Sequence, residues 1–193
     1  MAGRIGIGAE RVPARVLPED GDLKDLEQQS PLGRLPSAER LLLIGLTRMK
    51  KNWDGVACLI GSDRSHWVQV SADEAVSFQS FLTPRLAASL APDVTDADAD
   101  AAADTLSRPE RFATHLSSAD IAGSGSAVLG HLIGAELAAT RPYWLGQWVV
   151  VIGAGALAEA YAALLSEQGV PVETLSPEDC AKAGLTALNA PRA

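Results

Sequence analysis

The chain has 193 residues, with 16 Lys plus Arg against 24 Asp plus Glu, a net charge of −8, a pI near 4.8, 47% hydrophobic and 21% charged residues. That is the length of one compact domain, or a domain and a tail, at the composition of a soluble globular protein, and it excludes the disordered, collagen-like and disulfide-rich classes. The acidic balance argues against a general nucleic-acid binder, which needs a basic face to neutralise phosphates.

Residues 1–36 are rich in Gly, Pro and charge (Val12-Pro13, Leu17-Pro18-Glu19-Asp20-Gly21-Asp22, Ser30-Pro31-Leu32-Gly33) and read as an irregular lead-in. Residues 37–193 read as a single α/β domain. Ser37 is a candidate N-cap for a helix whose apolar face carries Leu41, Leu42, Ile44 and Leu46 and reaches Met49, with Lys50 and Lys51 suited to its end. Val56-Ala57-Cys58-Leu59-Ile60 is a buried-strand pattern, Ser62-Asp63-Arg64-Ser65 a turn, and His66-Trp67-Val68-Gln69-Val70 an alternating strand. Val76-Ser77-Phe78-Gln79-Ser80-Phe81 predicts a third strand, so the three form an antiparallel meander, followed by a helix near residues 84–90.

The Asp- and Ala-rich run over residues 93–104 reads as a solvated linker or exposed helix, since it lacks the Gly and Glu of a calcium-binding loop. A modest helix follows near residues 109–116, and a strong one over residues 126–141, where Gly130, Gly134 and Ala135 allow close packing. The last fifty residues alternate strand (148–152), helix (157–168), strand (170–173) and helix (177–188), with Gly169 ending the first of these helices. Such order implies parallel strands in a covered sheet. The predicted fold is therefore α/β: a mixed sheet of an antiparallel three-strand meander plus two parallel strands, with flanking helices, the arrangement of a ribonuclease-H-like or actin-like half-domain.

Cys58 and Cys180 lie far apart in apolar contexts, which predicts two buried free thiols in a reducing cytoplasm. His66, His115 and His131 have no partner at metal-ligand spacing, so no metal site is predicted. No apolar run reaches the roughly 18 residues of a membrane span, and a cytoplasmic protein without membrane or nucleic-acid partners is expected.

Two glycine turns are candidates to carry chemistry. Gly153-Ala154-Gly155-Ala156-Leu157-Ala158 joins a buried strand to a helix, with Glu173 twenty residues beyond Gly153, a pattern that also fits a dinucleotide-binding turn. Glycines let backbone approach a phosphate or an adenosine, and a helix start offers unpaired N–H groups. The same glycines also serve tight strand-to-helix packing. Gly61-Ser62-Asp63-Arg64-Ser65-His66-Trp67 presents hydroxyls and backbone N–H groups that suit a phosphate, and is equally an ordinary polar hairpin.

Taken together, residues 56–67, Leu129-Gly130-His131-Leu132-Ile133-Gly134-Ala135-Glu136-Leu137, residues 149–158 and Cys180-Ala181-Lys182-Ala183-Gly184-Leu185 resemble the C-terminal part of the 2-dehydro-3-deoxygalactonokinase family. The resemblance spans residues 37–190. It implies the actin-like fold and phosphorylation of 2-keto-3-deoxy-galactonate on its 6-hydroxyl with Mg-ATP, in galactonate breakdown. It further implies Gly61, Ser62 and Ser65 around the phosphate and Gly153, Gly155 and Ala156 around the adenosine. Departures accompany it. The family hairpin Gly-Thr-His-Ser-Lys-Trp keeps Gly61, Ser62 and Trp67 with one extra residue between them, and the family's Arg-Gly-Glu-Glu falls at Ser37-Ala38-Glu39-Arg40, where only Glu39 persists.

The family's N-terminal half, with its Asp-x-Gly-Ser/Thr phosphate loop, has no counterpart, since Ile5-Gly6-Ile7-Gly8-Ala9 supplies no Asp. The expectation is a shortened relative, weakly active or inactive alone, whose uncovered apolar surface favours a homo-oligomer. Two alternatives stand beside it: a noncatalytic oligomeric or regulatory module of the same fold, and a small NAD-binding protein using Gly153, Gly155, Ala158 and Glu173.

Overall fold

The computed structural model describes residues 4–190. Its main sheet is built from β2 (Ala14–Arg15), β5 (Gly55–Ile60), β6 (Ser65–Ser71), β7 (Glu74–Phe81), β8 (Val149–Ile152) and β9 (Val172–Leu175), in the order β2-β7-β6-β5-β8-β9. Strands β5, β6 and β7 form the antiparallel meander, while β8 and β9 run parallel to β5. This is the predicted mixed sheet. The turn between β6 and β7 has two residues, Ala72 and Asp73, both at positive φ (50° and 62°), the hairpin geometry that matches strand twist.

Alternation along the strands divides the core in two. Cys58, Trp67, Val149 and Val151 face α2 (Thr83–Leu90), α3 (Ala99–Ser107), α4 (Phe112–Ile121), α5 (Gly125–Ala139), the short α6 (Arg141–Trp144) and α7 (Gly155–Glu167). Ala57, Leu59, Val68, Val150 and Ile152 face the layer of α1 (Ser37–Met49) and α8 (Pro177–Leu188). Both faces are covered, which is why β5 and β8 read as continuous apolar runs rather than alternating ones. The Asp- and Ala-rich run resolves into a loop and α3, started by Asp98, whose side chain accepts from the Ala101 N–H at 3.0 Å. Cys58 and Cys180 are buried and unpaired.

The predicted irregular lead-in is a correction. Residues 4–35 contain β1 (Arg4–Arg11), β2, β3 (Asp22–Gln29) and β4 (Leu32–Leu35), and β1-β3-β4 make a second, three-stranded sheet. Leu23, Leu26 and Leu35 bury themselves in the core layer of α1. Gln28 is buried and acts as a splice between the sheets: its amide nitrogen donates to the Phe78 carbonyl (2.7 Å) and its oxygen accepts from the Phe78 N–H (2.9 Å). Such a side chain satisfies the strand groups that a neighbouring backbone would otherwise pair. Ser37 is likewise not an N-cap but the first helical residue; its N–H donates to Asp25 Oδ1 of β3 at 2.8 Å, so tertiary contact supplies the cap.

Candidate functional site

Because β5 and β8 are parallel with Leu59 opposite Ile152, the two glycine turns leave the sheet side by side at its carboxyl end. In sheets of this kind ligands bind beyond the carboxyl ends of the strands. Gly153 is there for space: a Cβ would stand 2.8 Å from that of Ala158 and 3.0 Å from that of Ile60. Gly155 is needed for conformation, with φ +74°, and is exposed with nothing around its Cβ position. Ala156 is half-buried in the first turn of α7. Ala154 caps that helix without any side-chain acceptor, so no capping side chain meets its first N–H groups.

In the other turn the Gly61 N–H donates to the Arg64 carbonyl at 3.0 Å, and Ser62 is exposed. Ser65 departs from its expected place around a phosphate: it is fully buried and its hydroxyl donates to Glu136 Oε1 at 2.6 Å, on the far side of the strand from the turn's open face. The register of the meander decides this, since adjacent strand residues face opposite ways.

A cavity of about 670 Å³ opens beside this turn, between the two sheets. Gly61, Ser62, Glu39, His66, Ser80 and Arg64 line it. Glu39 enters from the first turn of α1, and its Oε2 has no hydrogen-bond partner. Burial pushes its carboxyl above the ordinary range, helped by the nearby charge of Asp25. Two neighbouring carboxylates are engaged: Asp25 with Arg34 (2.6 Å) and the Ser37 N–H, Asp63 with Arg85 (2.6 and 2.8 Å). Arg85 holds Asp63 below the usual carboxylate range. Glu39 thus lines this cavity with a carboxylate whose buried Oε2 is left without a hydrogen-bond partner.

His66 stands opposite Ser80 across β6 and β7, with Nδ1 and Oγ 2.7 Å apart. Burial, then the positive charge of Arg64, lowers the imidazole to about 4, so it is neutral at pH 7. Ser80 carried no signal in the sequence, because only the strand register places it against His66. Glu39 did carry one, as the sole survivor of a four-residue motif.

Glu173 is also placed by the fold, and not where a dinucleotide ribose needs it. It is the second residue of β9, opposite Val150, and its carboxylate pairs with Lys50 Nζ at 2.6 Å. Lys50 in turn lies over the Trp148 ring, at the amino end of β8, away from Gly153.

The fold is that of an α/β protein with two glycine turns side by side at the carboxyl end of a mixed sheet. A solved structure, described as a candidate 2-dehydro-3-deoxygalactonokinase from Sinorhizobium meliloti, is similar to this chain with a TM-score of 0.77 and 22% identity. The match covers 96% of this chain and 73% of that one. No protein of curated function matches the sequence. The family model of 2-keto-3-deoxy-galactonokinase matches residues 39–188, and the chain belongs to that family. No described helix is long and apolar enough to cross a membrane.

The buried imidazole makes stability depend on pH. A folded-state value near 4 against 6.5 unfolded means that the stabilising contribution is complete above pH 6.5 and is lost as pH falls towards 4. The loss expected is about 3 kcal/mol. His66→Gln, which keeps a partner for Ser80, should be flatter than the wild type over this window in urea unfolding, and parallel curves would remove the assignment.

Proposed function

We propose that the chain is a sugar-acid kinase relative that takes an adenine nucleotide and 2-keto-3-deoxy-galactonate at the carboxyl end of its sheet. The observation that carries this reading is the side-by-side exit of the two glycine turns from β5 and β8, with a cavity beside the Gly61 turn that Glu39 helps to line. Gly153, Gly155 and Ala156 would receive the adenosine side, and Gly61 with Ser62 the phosphates. Ser65 drops out of that set, its hydroxyl being committed to Glu136.

Magnesium would be held here through Glu39, whose carboxylate helps to line the cavity. Among the described residues no three His, Cys, Asp or Glu gather to hold a metal ion, so a cation here would depend on the phosphates and one carboxylate, the manner in which Mg²⁺ is commonly held. When bound, Mg-ATP supplies the phosphoryl group and neutralises the oxygens around it. The chain's own residues position the phosphates on backbone N–H groups and keep Glu39 ready for the cation.

A noncatalytic role of the same fold is the second reading, and the fate of Arg40 favours it. Where the family motif has Glu, this guanidinium is fully buried and spent on three backbone carbonyls. The dinucleotide reading loses its acidic ribose partner to Lys50.

Thermal unfolding with Mg-ATP, Mg-ADP, NADH and 2-keto-3-deoxy-galactonate added separately tests the proposal. A ligand at about 100 times its Kd contributes roughly 2.7 kcal/mol, about 5–10 °C for a chain of this size. The expected result is a shift with ATP and ADP that loses its magnesium dependence in Glu39→Gln. No shift with either nucleotide or the sugar acid would leave the noncatalytic module, and a shift with NADH alone would restore the dinucleotide reading.

A further inference from the structure

Glu136 is an enclosed carboxylate in the last turn of α5, and every group bound to it is a donor. Its Oε1 accepts from the Ser65 hydroxyl at 2.6 Å and from the Trp67 indole N–H at 2.7 Å. Its Oε2 accepts from the Tyr161 hydroxyl at 2.8 Å, and Thr83, the first residue of α2, adds a further hydroxyl. Burial pushes the carboxyl up while these four hydrogen bonds hold it down. An ionised carboxylate is acceptor-only, so it suits a ring of donors as an amide does not.

The partners stand at telling places. Ser65 is the residue at which the Gly61 turn re-enters the sheet, one step beyond Arg64, whose carbonyl closes that turn. Tyr161 lies six residues into α7, the helix that the Gly155 turn opens. One carboxylate therefore ties the exit of the first turn to the helix of the second, from the side of the sheet opposite to the α1 layer.

We propose that Glu136 is a positioning residue, which fixes the two glycine turns relative to one another by holding Ser65 and Tyr161 on its two oxygens. In functional terms this rests on the reading of those turns as ligand loops, but the mechanical claim stands on the network alone. Without the carboxylate, Ser65 and the start of β6 are free to shift against α7, and the spacing between Gly61 and Gly153 is no longer set.

Residue-resolved amide exchange tests this in the native chain. Gly61 N–H, bonded to the Arg64 carbonyl, and Gly153 N–H, directed at the Leu175 carbonyl, report on the two turns, and Val150 N–H in the central sheet reports on global opening. Glu136→Gln should speed both glycine amides by about tenfold more than it speeds Val150. Ser65→Ala should act on Gly61 and Tyr161→Phe on Gly153, and these two milder variants decide the matter if Glu136→Gln does not fold. Ile133→Val, a core change on the same helix outside the network, is the control for simple destabilisation. Glycine amides that move in step with Val150 in every variant would overturn the proposal. Mg-ADP titration of the wild type and of the variants separates the two claims. Weakened binding in Ser65→Ala and Tyr161→Phe, with Ile133→Val unchanged, extends the role to the ligand. A wild type that binds no nucleotide removes the kinase reading, while the exchange result still decides whether Glu136 positions the turns.

Discussion

Gly45→Ala should lower the stability of this protein by about 3 kcal/mol, at the upper end of what overpacking costs and against the helix propensity that favours Ala by about 1 kcal/mol. Helices α1 and α8 touch backbone to backbone. A Cβ on Gly45 would overlap the Cys180 carbonyl, and a Cβ on Gly184 would overlap the Leu41 carbonyl, so the same four-residue step on each helix faces a glycine with the other's main chain. A carbonyl cannot rotate out of the way as a long side chain can, and the helices must part. Their separation also loosens Leu43 and Ile44 from the sheet. The expected loss is about 6–12 °C in Tm, read by calorimetry. Because parting the helices once makes room for both methyls, the double variant with Gly184→Ala should cost less than the two single changes added together. Wild-type stability in Gly45→Ala would mean that this close approach is absent in solution.

The second large effect belongs to Arg40. Its Nε donates to the Val16 carbonyl at 3.0 Å, one terminal nitrogen to the Lys24 carbonyl at 3.1 Å, and the other to the Arg15 carbonyl at 2.6 Å, while Glu10 approaches at 2.9 Å. One planar cation on α1 thus satisfies backbone of β2, the loop after it and β3. Arg40→Ala leaves three carbonyls and the Glu10 carboxylate without that partner. Each unmet buried carbonyl costs about 1–3 kcal/mol before water relieves some of it, and the expected total is about 3–5 kcal/mol. Since the contacts converge on residues 10–24, the damage should concentrate there, with protease cleavage in that segment well before the main sheet opens. Arg40→Lys should recover only part, because a single ammonium lacks the fork that spans three acceptors. Equal protease resistance in wild type and Arg40→Ala would show that the small sheet is held by its leucines alone.

Much of the architecture was legible because its elements announce themselves locally. The continuous apolar runs of β5 and β8, the alternation of β6, the aromatic and β-branched content of β7 and the strand-helix alternation at the end led to the mixed sheet and its parallel strands. Gly130 and Gly134 were read as close-packing positions, and in the structure Cβ atoms there would meet the backbone of α3. The N-terminal sheet was not legible. In β3 the buried positions are Leu23, Leu26 and Gln28, interleaved with Lys24, Asp25 and Glu27, so neither a two-residue period nor a run of apolar residues appears. Its stability comes from Gln28 on Phe78, Asp25 on Ser37 and Arg40 on distant carbonyls, contacts separated by 12 to 50 residues in sequence.

The candidate site divides in the same way. The amino-acid order by itself determined the two glycine turns, the strand-to-helix junction at Gly153 and the family to which the chain belongs, because these depend on residue types at short fixed spacings. Only the tertiary structure decided that Ser65 turns inward to Glu136 while Ser62 stays open, that Ser80 meets His66, that Glu173 is taken by Lys50, and that Glu39 lines the cavity beside Gly61. The physical reason is that which way a strand residue faces and which polar group is left without a partner depend on register and on long-range packing, and neither has a local signature in the chain.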